Sequence, residues 1–135
     1  MFILLSGAVF GSLVTVRWQL PKFYLLWALA FFAYAGAWMI GYFSLGRASG
    51  ELLGAVVGSI LMAVVLAIGF RALGSIAKLA AAILVGNLFG YYLGAALFDN
   101  LSAPTGMLLF GVVYGVFFGA GIGGALQLAQ RSQQE

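Results

Sequence analysis

The sequence predicts an all-α protein, a polytopic bundle of transmembrane helices in one domain, 1–135. Of the 135 residues, 64% are hydrophobic and 7% are charged, and the mean hydropathy is +1.14, whereas soluble domains carry about 25% charged residues. The apolar stretches approach about 20 residues, which as a helix spans the hydrocarbon core of a bilayer. They are continuous, unlike the alternating segments of about ten residues that a transmembrane β-barrel needs.

Charged residues and two prolines divide the chain into hydrophobic segments. Pro21 and Pro104 both fall between segments, where a missing backbone N–H costs no helical hydrogen bond. The first segment has no basic residue ahead of it, so we expect a retained helix and not a cleaved signal peptide. The connections are short, which favours antiparallel neighbours. Five helices are predicted, or four if the first segment does not span: about 3–20, 23–45, 51–70, 79–98 and 106–128.

Two helix ends carry residues that are typical of caps. Ser49 is predicted to cap the third helix, which would place Glu51 in its first turn against the positive end of the helix dipole. Asn100 is predicted to be the C-cap of the fourth helix.

Basic residues are distributed unevenly over the connections. In alternating order, five of the six fall on one side, Arg17, Lys22, Arg71, Lys78 and Arg131, and Arg47 falls on the other. Because basic loops stay in the cytoplasm, the N-terminus is expected outside and the C-terminus inside, with Glu51 and Asp99 outside. We expect a multi-pass protein of a prokaryotic inner (cytoplasmic) membrane.

Glycine recurs at every fourth position in several helices, a repeated GxxxG pattern typical of a glycine zipper. Residues four apart share a helix face, and transmembrane helices associate through such flat faces. These rows pack the chain's own helices together, or at least one of them binds a second copy or another membrane subunit. The fifth helix is the first candidate for the second role, because Gly121 and Gly124 lie off its row. The predicted packing positions are Gly54, Gly58, Gly86, Gly90, Gly94, Gly111, Gly115, Gly119 and Gly123.

Aromatic side chains form a stripe along the second helix. Phe31, Tyr34 and Trp38 lie deep in that helix, away from the membrane interfaces where aromatic belts form. They pack against neighbouring helices and lipid, or they form a surface for a flat or isoprenoid cofactor such as a quinone or pigment. No bound cofactor is predicted, since the chain has no His or Cys to ligate a haem or pigment metal.

Polar residues at membrane depth are few. Asn87 lies near the middle of the fourth helix, and an amide in hydrocarbon must find a hydrogen-bond partner. It bonds a neighbouring helix, or it belongs to a polar path for a small solute together with Tyr91, one turn away, and with Glu51 and Asp99 at the outer helix ends.

The missing residue types exclude several activities. Without Cys or His the chain has no thiolate nucleophile, Ser-His-Asp triad or common metal ligand, so neither an enzyme nor a metal site is expected. The net charge of +3 is not clustered as nucleic-acid binding requires. The predicted function is a non-enzymatic accessory or assembly subunit that contacts membrane lipids and a membrane partner. The alternative is a homo-oligomeric passive channel or facilitator for an ion or small solute.

The orientation is testable because the chain lacks cysteine. In intact cells, Asn100→Cys should react with a membrane-impermeant maleimide, and the control Lys78→Cys should react only after permeabilisation. Labelling of residue 100 only from the cytoplasmic side would contradict the predicted orientation.

Overall fold

The computed structural model describes residues 2–14 and 20–132, and this part of the chain is helical without any strand. Four helices are long and apolar enough to cross a membrane. A 3₁₀ turn, Leu73–Ser75, precedes the third of these four. The α-helices are α1 (Phe2–Leu13), α2 (Leu20–Leu45), α3 (Arg47–Gly69), α4 (Ile76–Asp99) and α5 (Ala103–Arg131).

The first predicted segment forms a shorter helix than expected. The 12 residues of α1 measure about 18 Å at 1.5 Å per residue, less than the ~30 Å of a bilayer core. The structure therefore supports four helices of spanning length. The end of that segment, including Arg17, lies outside the described residues.

All four long helices begin three or four residues earlier than the sequence predicts. Pro21 and Pro104 therefore lie in the first turns of α2 and α5, and the prediction that both fall between helices is wrong.

Gly46 has a φ of 80°, which glycine adopts without strain, and α3 starts directly after it. Ser49 therefore lies inside α3, and its prediction as the N-cap is wrong. The 3₁₀ turn brings the start of α4 to Ile76. Asn100 is confirmed as the C-cap of α4, and its Nδ2 donates a hydrogen bond of 2.7 Å to the carbonyl of Ala96.

The four long helices form two antiparallel hairpins, α2–α3 and α4–α5, which join where α3 packs on α4. Glycines bring the backbones together inside each hairpin. A Cβ built on Gly54 would lie 2.9 Å from the Cα of Trp38, and one on Gly86 would lie 2.5 Å from the carbonyl oxygen of Phe117. Neither space admits a methyl group. Similar approaches occur at Gly58 to Tyr34, at Gly90 to Tyr114 and at Gly94 to the ring of Phe110.

The glycine row of α5 lies on a different face from the one that packs on α4. Gly121 makes that contact, since its Cβ would lie 2.6 Å from the carbonyl oxygen of Ala82. A Cβ on Gly111 or Gly115 would meet no described atom within 4 Å. On Gly119 or Gly123 it would meet only the ring of Phe10, at 3.8 and 3.9 Å. This row therefore packs no helix of the described chain closely.

The bundle has two unlike halves, which meet where Tyr34 contacts Gly58. We call the half with the start of α2 and the end of α5 the closed half, and the other the open half. In the open half, Ala55 is the one buried apolar side chain among those described. The closed half contains the hydrophobic core: Phe23, Trp27, Ala30, Met62, Ala63, Leu66, Ala67, Phe70, Leu79, Ile83, Phe118, Ile122, Ala125, Leu126 and Ala129.

Four basic residues of the described part of the chain lie at the closed end of the bundle. Lys22 is in the first turn of α2, Arg71 follows α3, Lys78 is in the first turn of α4 and Arg131 ends α5. A hydrogen bond of 2.7 Å between the hydroxyls of Ser75 and Ser132 closes this end. The side of the membrane that it faces stays a prediction.

The helix contacts predict opposite effects for two Gly→Ala substitutions. Gly86→Ala should lower the free energy of unfolding by about 1–3 kcal/mol because the backbone of α5 must move. Gly111→Ala should leave it unchanged or raise it by up to about 1 kcal/mol, because the space is open and alanine favours a helix. Unfolding in mixed micelles followed by circular dichroism measures both, and equal effects would contradict the packing of α4 on α5.

Candidate functional site: a cleft above a polar ring

A closed ring of hydrogen bonds joins three helices at the middle of the bundle. Asn87 Nδ2 on α4 donates to the hydroxyl of Tyr34 on α2 over 2.9 Å. The hydroxyl of Tyr114 on α5 donates to Asn87 Oδ1 over 2.9 Å. The two hydroxyls are 3.3 Å apart, and since Tyr114 gives its hydrogen to Asn87, Tyr34 donates to Tyr114. We call these three residues the polar ring.

The polar ring supplies the hydrogen-bond partners of a buried amide from within the protein. Asn87 is 2% exposed and Tyr34 is 8% exposed, so each needs partners inside the protein. The phenyl group of Phe118, in the closed half, packs against both tyrosines. Its centroid lies 5.1 Å from that of Tyr34 and 5.5 Å from that of Tyr114. The polar ring thus covers the hydrophobic core and joins α2 directly to the α4–α5 hairpin.

A carboxylate lies in the open half. Glu51, in the second turn of α3, accepts a hydrogen bond of 2.5 Å from the hydroxyl of Tyr91 on α4. It is partly buried, and no described basic side chain forms an ion pair with it. This contact is a second polar link between the hairpins, one helical turn along α4 from Asn87.

The space between the ring and the end of the open half is a cavity of about 720 Å³, which we call the cleft. It is lined by residues of α2, α3, α4 and α5, and seven of them are aromatic. The structure brings together two sets of residues that the sequence suggested separately, the aromatic stripe and the polar path. Those that line the cleft are Phe31, Tyr34, Trp38, Glu51, Asn87 and Tyr91.

The set of residues that line the cleft differs from the set predicted from the sequence. Asp99 is exposed at the end of α4 and does not line the cleft. Phe110 and Tyr92 do line it, although the sequence analysis did not select them. Phe110 lies four residues before Tyr114 on α5, so the two side chains share a helix face. This spacing was the signal in the sequence that could have identified Phe110.

The cleft is open at its rim. Met39 on α2, Leu52 on α3 and Tyr92 on α4 line it and are 52%, 44% and 58% exposed. Since α2 and α4 are of spanning length, the opening lies on a surface that lipid would cover. A molecule dissolved in the bilayer therefore has a lateral route into the cleft.

A second cavity of about 750 Å³ lies between α1, α2 and α5. It shares Phe31 and Tyr114 with the cleft, so these two side chains form part of the wall between the cavities. The α5 row of Gly111, Gly115, Gly119 and Gly123 lines this second cavity.

Comparison with protein-family models, with curated proteins and with solved structures gave no match. The functional interpretation therefore depends on the residues and contacts of this chain.

The polar ring predicts a measurable role for Asn87. Asn87→Leu should lower the free energy of unfolding by about 1–2 kcal/mol, because it removes two hydrogen bonds and each bond between membrane helices contributes about 0.6 kcal/mol on average. Gln127→Leu, an exposed amide on α5, is the control and should change it by less than about 0.5 kcal/mol. Unfolding titrations in bicelles measure the difference, and equal stabilities would show that Asn87 does not join the helices.

Proposed function

We propose that this integral membrane protein is a non-enzymatic accessory or assembly subunit that binds a transmembrane helix of another polypeptide. The binding surface is the glycine row of α5, Gly111, Gly115, Gly119 and Gly123, which we call the α5 face. The proposal concerns a part of the molecule separate from the cleft.

The observation that carries the proposal is the difference between this row and the others. Gly54, Gly58, Gly86 and Gly90 each lie against the backbone of a neighbouring helix in the same chain. The α5 face has the same four-residue spacing, but Gly111 and Gly115 have open space beside them. A helix that lacks side chains along one face lets another backbone approach closely, and close packing is the main attraction between helices in lipid.

The shape around the α5 face also supports a helical partner. The second cavity runs beside the row and is bounded on its other side by α1 and α2, including Val9 and Phe10. Its lining is largely apolar, with Ser6 and Gln127 as polar members. A partner helix with small or apolar residues fits such a groove better than a charged segment does.

The alternative is a passive channel or facilitator built by self-association. It is favoured by the cleft, where Glu51, Tyr91 and Asn87 all face one cavity. Against it, Asn87 and the two tyrosines of the polar ring bond to one another, and Phe31 and Tyr114 separate the two cavities. A continuous polar path would therefore have to be built between copies of the chain.

Substitution of the α5 face tests the proposal. The double variant Gly115→Leu, Gly119→Leu should abolish co-purification of the partner while the helical content and the unfolding midpoint of the isolated chain stay close to those of the wild type. Gly36→Leu on α2 is the matched control, because a Cβ there also meets nothing within 4 Å, and it should retain the partner.

Native mass spectrometry of the complex separates the functions. If a second polypeptide is present in the wild-type complex and absent from that of the double variant, the result supports an accessory subunit. A closed homo-oligomer that passes solute in liposomes supports the channel. A complex of unchanged composition in the double variant would contradict a role for the α5 face in either.

A further inference from the structure

We infer that the cleft of the open half binds an amphipathic organic cation, with its apolar body among the aromatic rings and its positive charge at Glu51. The inference concerns a ligand site and is independent of the partner proposed for the α5 face.

The size and lining of the cleft match those of a small-molecule site. Its volume of about 720 Å³ lies within the usual range of roughly 300–1,000 Å³, and ligand sites combine a mainly apolar lining with a few polar groups. Here the apolar lining is largely aromatic and the polar groups are the ring and Glu51.

The charge of the site selects a cation. Among the described residues, Glu51 is the one carboxylate that lines the cleft, and none of them places a basic side chain there. Tyr91 holds the carboxylate by its hydrogen bond, which fixes its place beside the rings of the cleft. A positively charged ligand is attracted by the carboxylate of Glu51. It is also attracted by the faces of Trp38 and the tyrosines, because aromatic rings attract cations.

The same geometry leaves few hydrogen-bond donors for the carbonyl groups of a quinone. Four tyrosines line the cleft, and three of them already donate within the protein. Tyr91 donates to Glu51, Tyr114 donates to Asn87, and Tyr34 is left to donate to Tyr114. An acidic ligand is disfavoured directly by the carboxylate.

The depth of the polar groups sets the shape of the ligand. Glu51 bonds Tyr91, which lies four residues beyond Asn87 on α4. Glu51 also lies seven residues before Gly58 on α3, which is level with the polar ring. Along the helix axes, about 6–10 Å therefore separates Glu51 from the floor of the cleft. Glu51 is close to the start of α3, and the opening beside Met39 and Tyr92 faces lipid. A molecule with a charge at one end and an apolar body of up to about 10 Å enters from the bilayer and fits the cleft.

The (4-phenylbenzyl)trimethylammonium ion, which carries its charge at one end of a biphenyl body, is the probe. Equilibrium dialysis against the purified chain in neutral detergent measures its binding. The wild type should bind one equivalent saturably. Glu51→Gln should weaken binding by about tenfold or more, because the charge attraction is lost. Trp38→Leu should weaken it by about 3- to 30-fold. Asp99→Asn, an exposed acid outside the cleft, should leave it unchanged.

4-Neopentylbiphenyl, a neutral molecule of the same shape, should bind the wild type at least about tenfold more weakly than the cation. This comparison needs no variant and stands even if Glu51→Gln fails to fold. Equal binding of the two probes, equal binding by wild type and Glu51→Gln of unchanged helical content, or no saturable binding would each overturn the inference.

The cation has two sources, a free lipophilic cation or the ammonium group of a membrane lipid. Repeating the titration in nanodiscs of phosphatidylglycerol and of phosphatidylserine distinguishes them, because the two lipids have the same net charge and only phosphatidylserine carries an ammonium group. Weaker probe binding in phosphatidylserine than in phosphatidylglycerol, with no such difference in Glu51→Gln, identifies the lipid headgroup as the occupant. Equal binding in both lipids, still dependent on Glu51, identifies a free cation.

Discussion

A buried amide needs hydrogen-bond partners inside the protein, and this constraint organises the bundle. Asn87 meets it through Tyr34 and Tyr114, and the three side chains form a ring in which each group both donates and accepts. Inside hydrocarbon the alternative is an unsatisfied polar group, which is costly. The ring therefore holds α2 at a fixed distance from α4 and α5 and divides the hydrophobic core from the cleft.

Contacts within the hairpins and contacts between them differ in kind. Inside each hairpin, glycine lets backbones approach until no methyl group fits, as at Gly54 and Gly86. Between the hairpins, larger side chains fill the closed half, and polar links at two levels span the open half. Because the open half has almost no buried apolar side chains, its helices leave a space that the chain itself does not fill. The cleft is a direct consequence of where the core ends.

The sequence predicted the features that depend on a single helix. Long apolar segments indicated the four helices of spanning length, and Asn100 indicated the end of α4. The start of α3 was misplaced because Gly46 turns the chain at a positive φ, which let the helix begin before Ser49. The length of α1 was also overestimated, since apolar residues alone do not determine where a helix ends.

Features that depend on how helices are rotated against one another were not predictable from spacing. The stripe through Tyr34 and the amide of Asn87 were both visible, but their meeting depends on the relative rotation of α2 and α4. The glycine rows show the same limit. Those of α3 and α4 and that of α5 have identical spacing, yet α5 packs on α4 through Gly121 and leaves Gly115 open. A row indicates a flat face and does not identify its partner.

The most direct test of the central claim is a double-mutant cycle on the two tyrosines of the ring. Unfolding free energies in bicelles are measured for Tyr34→Phe, Tyr114→Phe and the double variant. Because either substitution breaks the same closed ring, the double variant should be less destabilised than the sum of the two by about 0.5–2 kcal/mol. Effects that add to within about 0.3–0.5 kcal/mol would show that the hydroxyls act separately and would contradict the ring as the element that joins the hairpins.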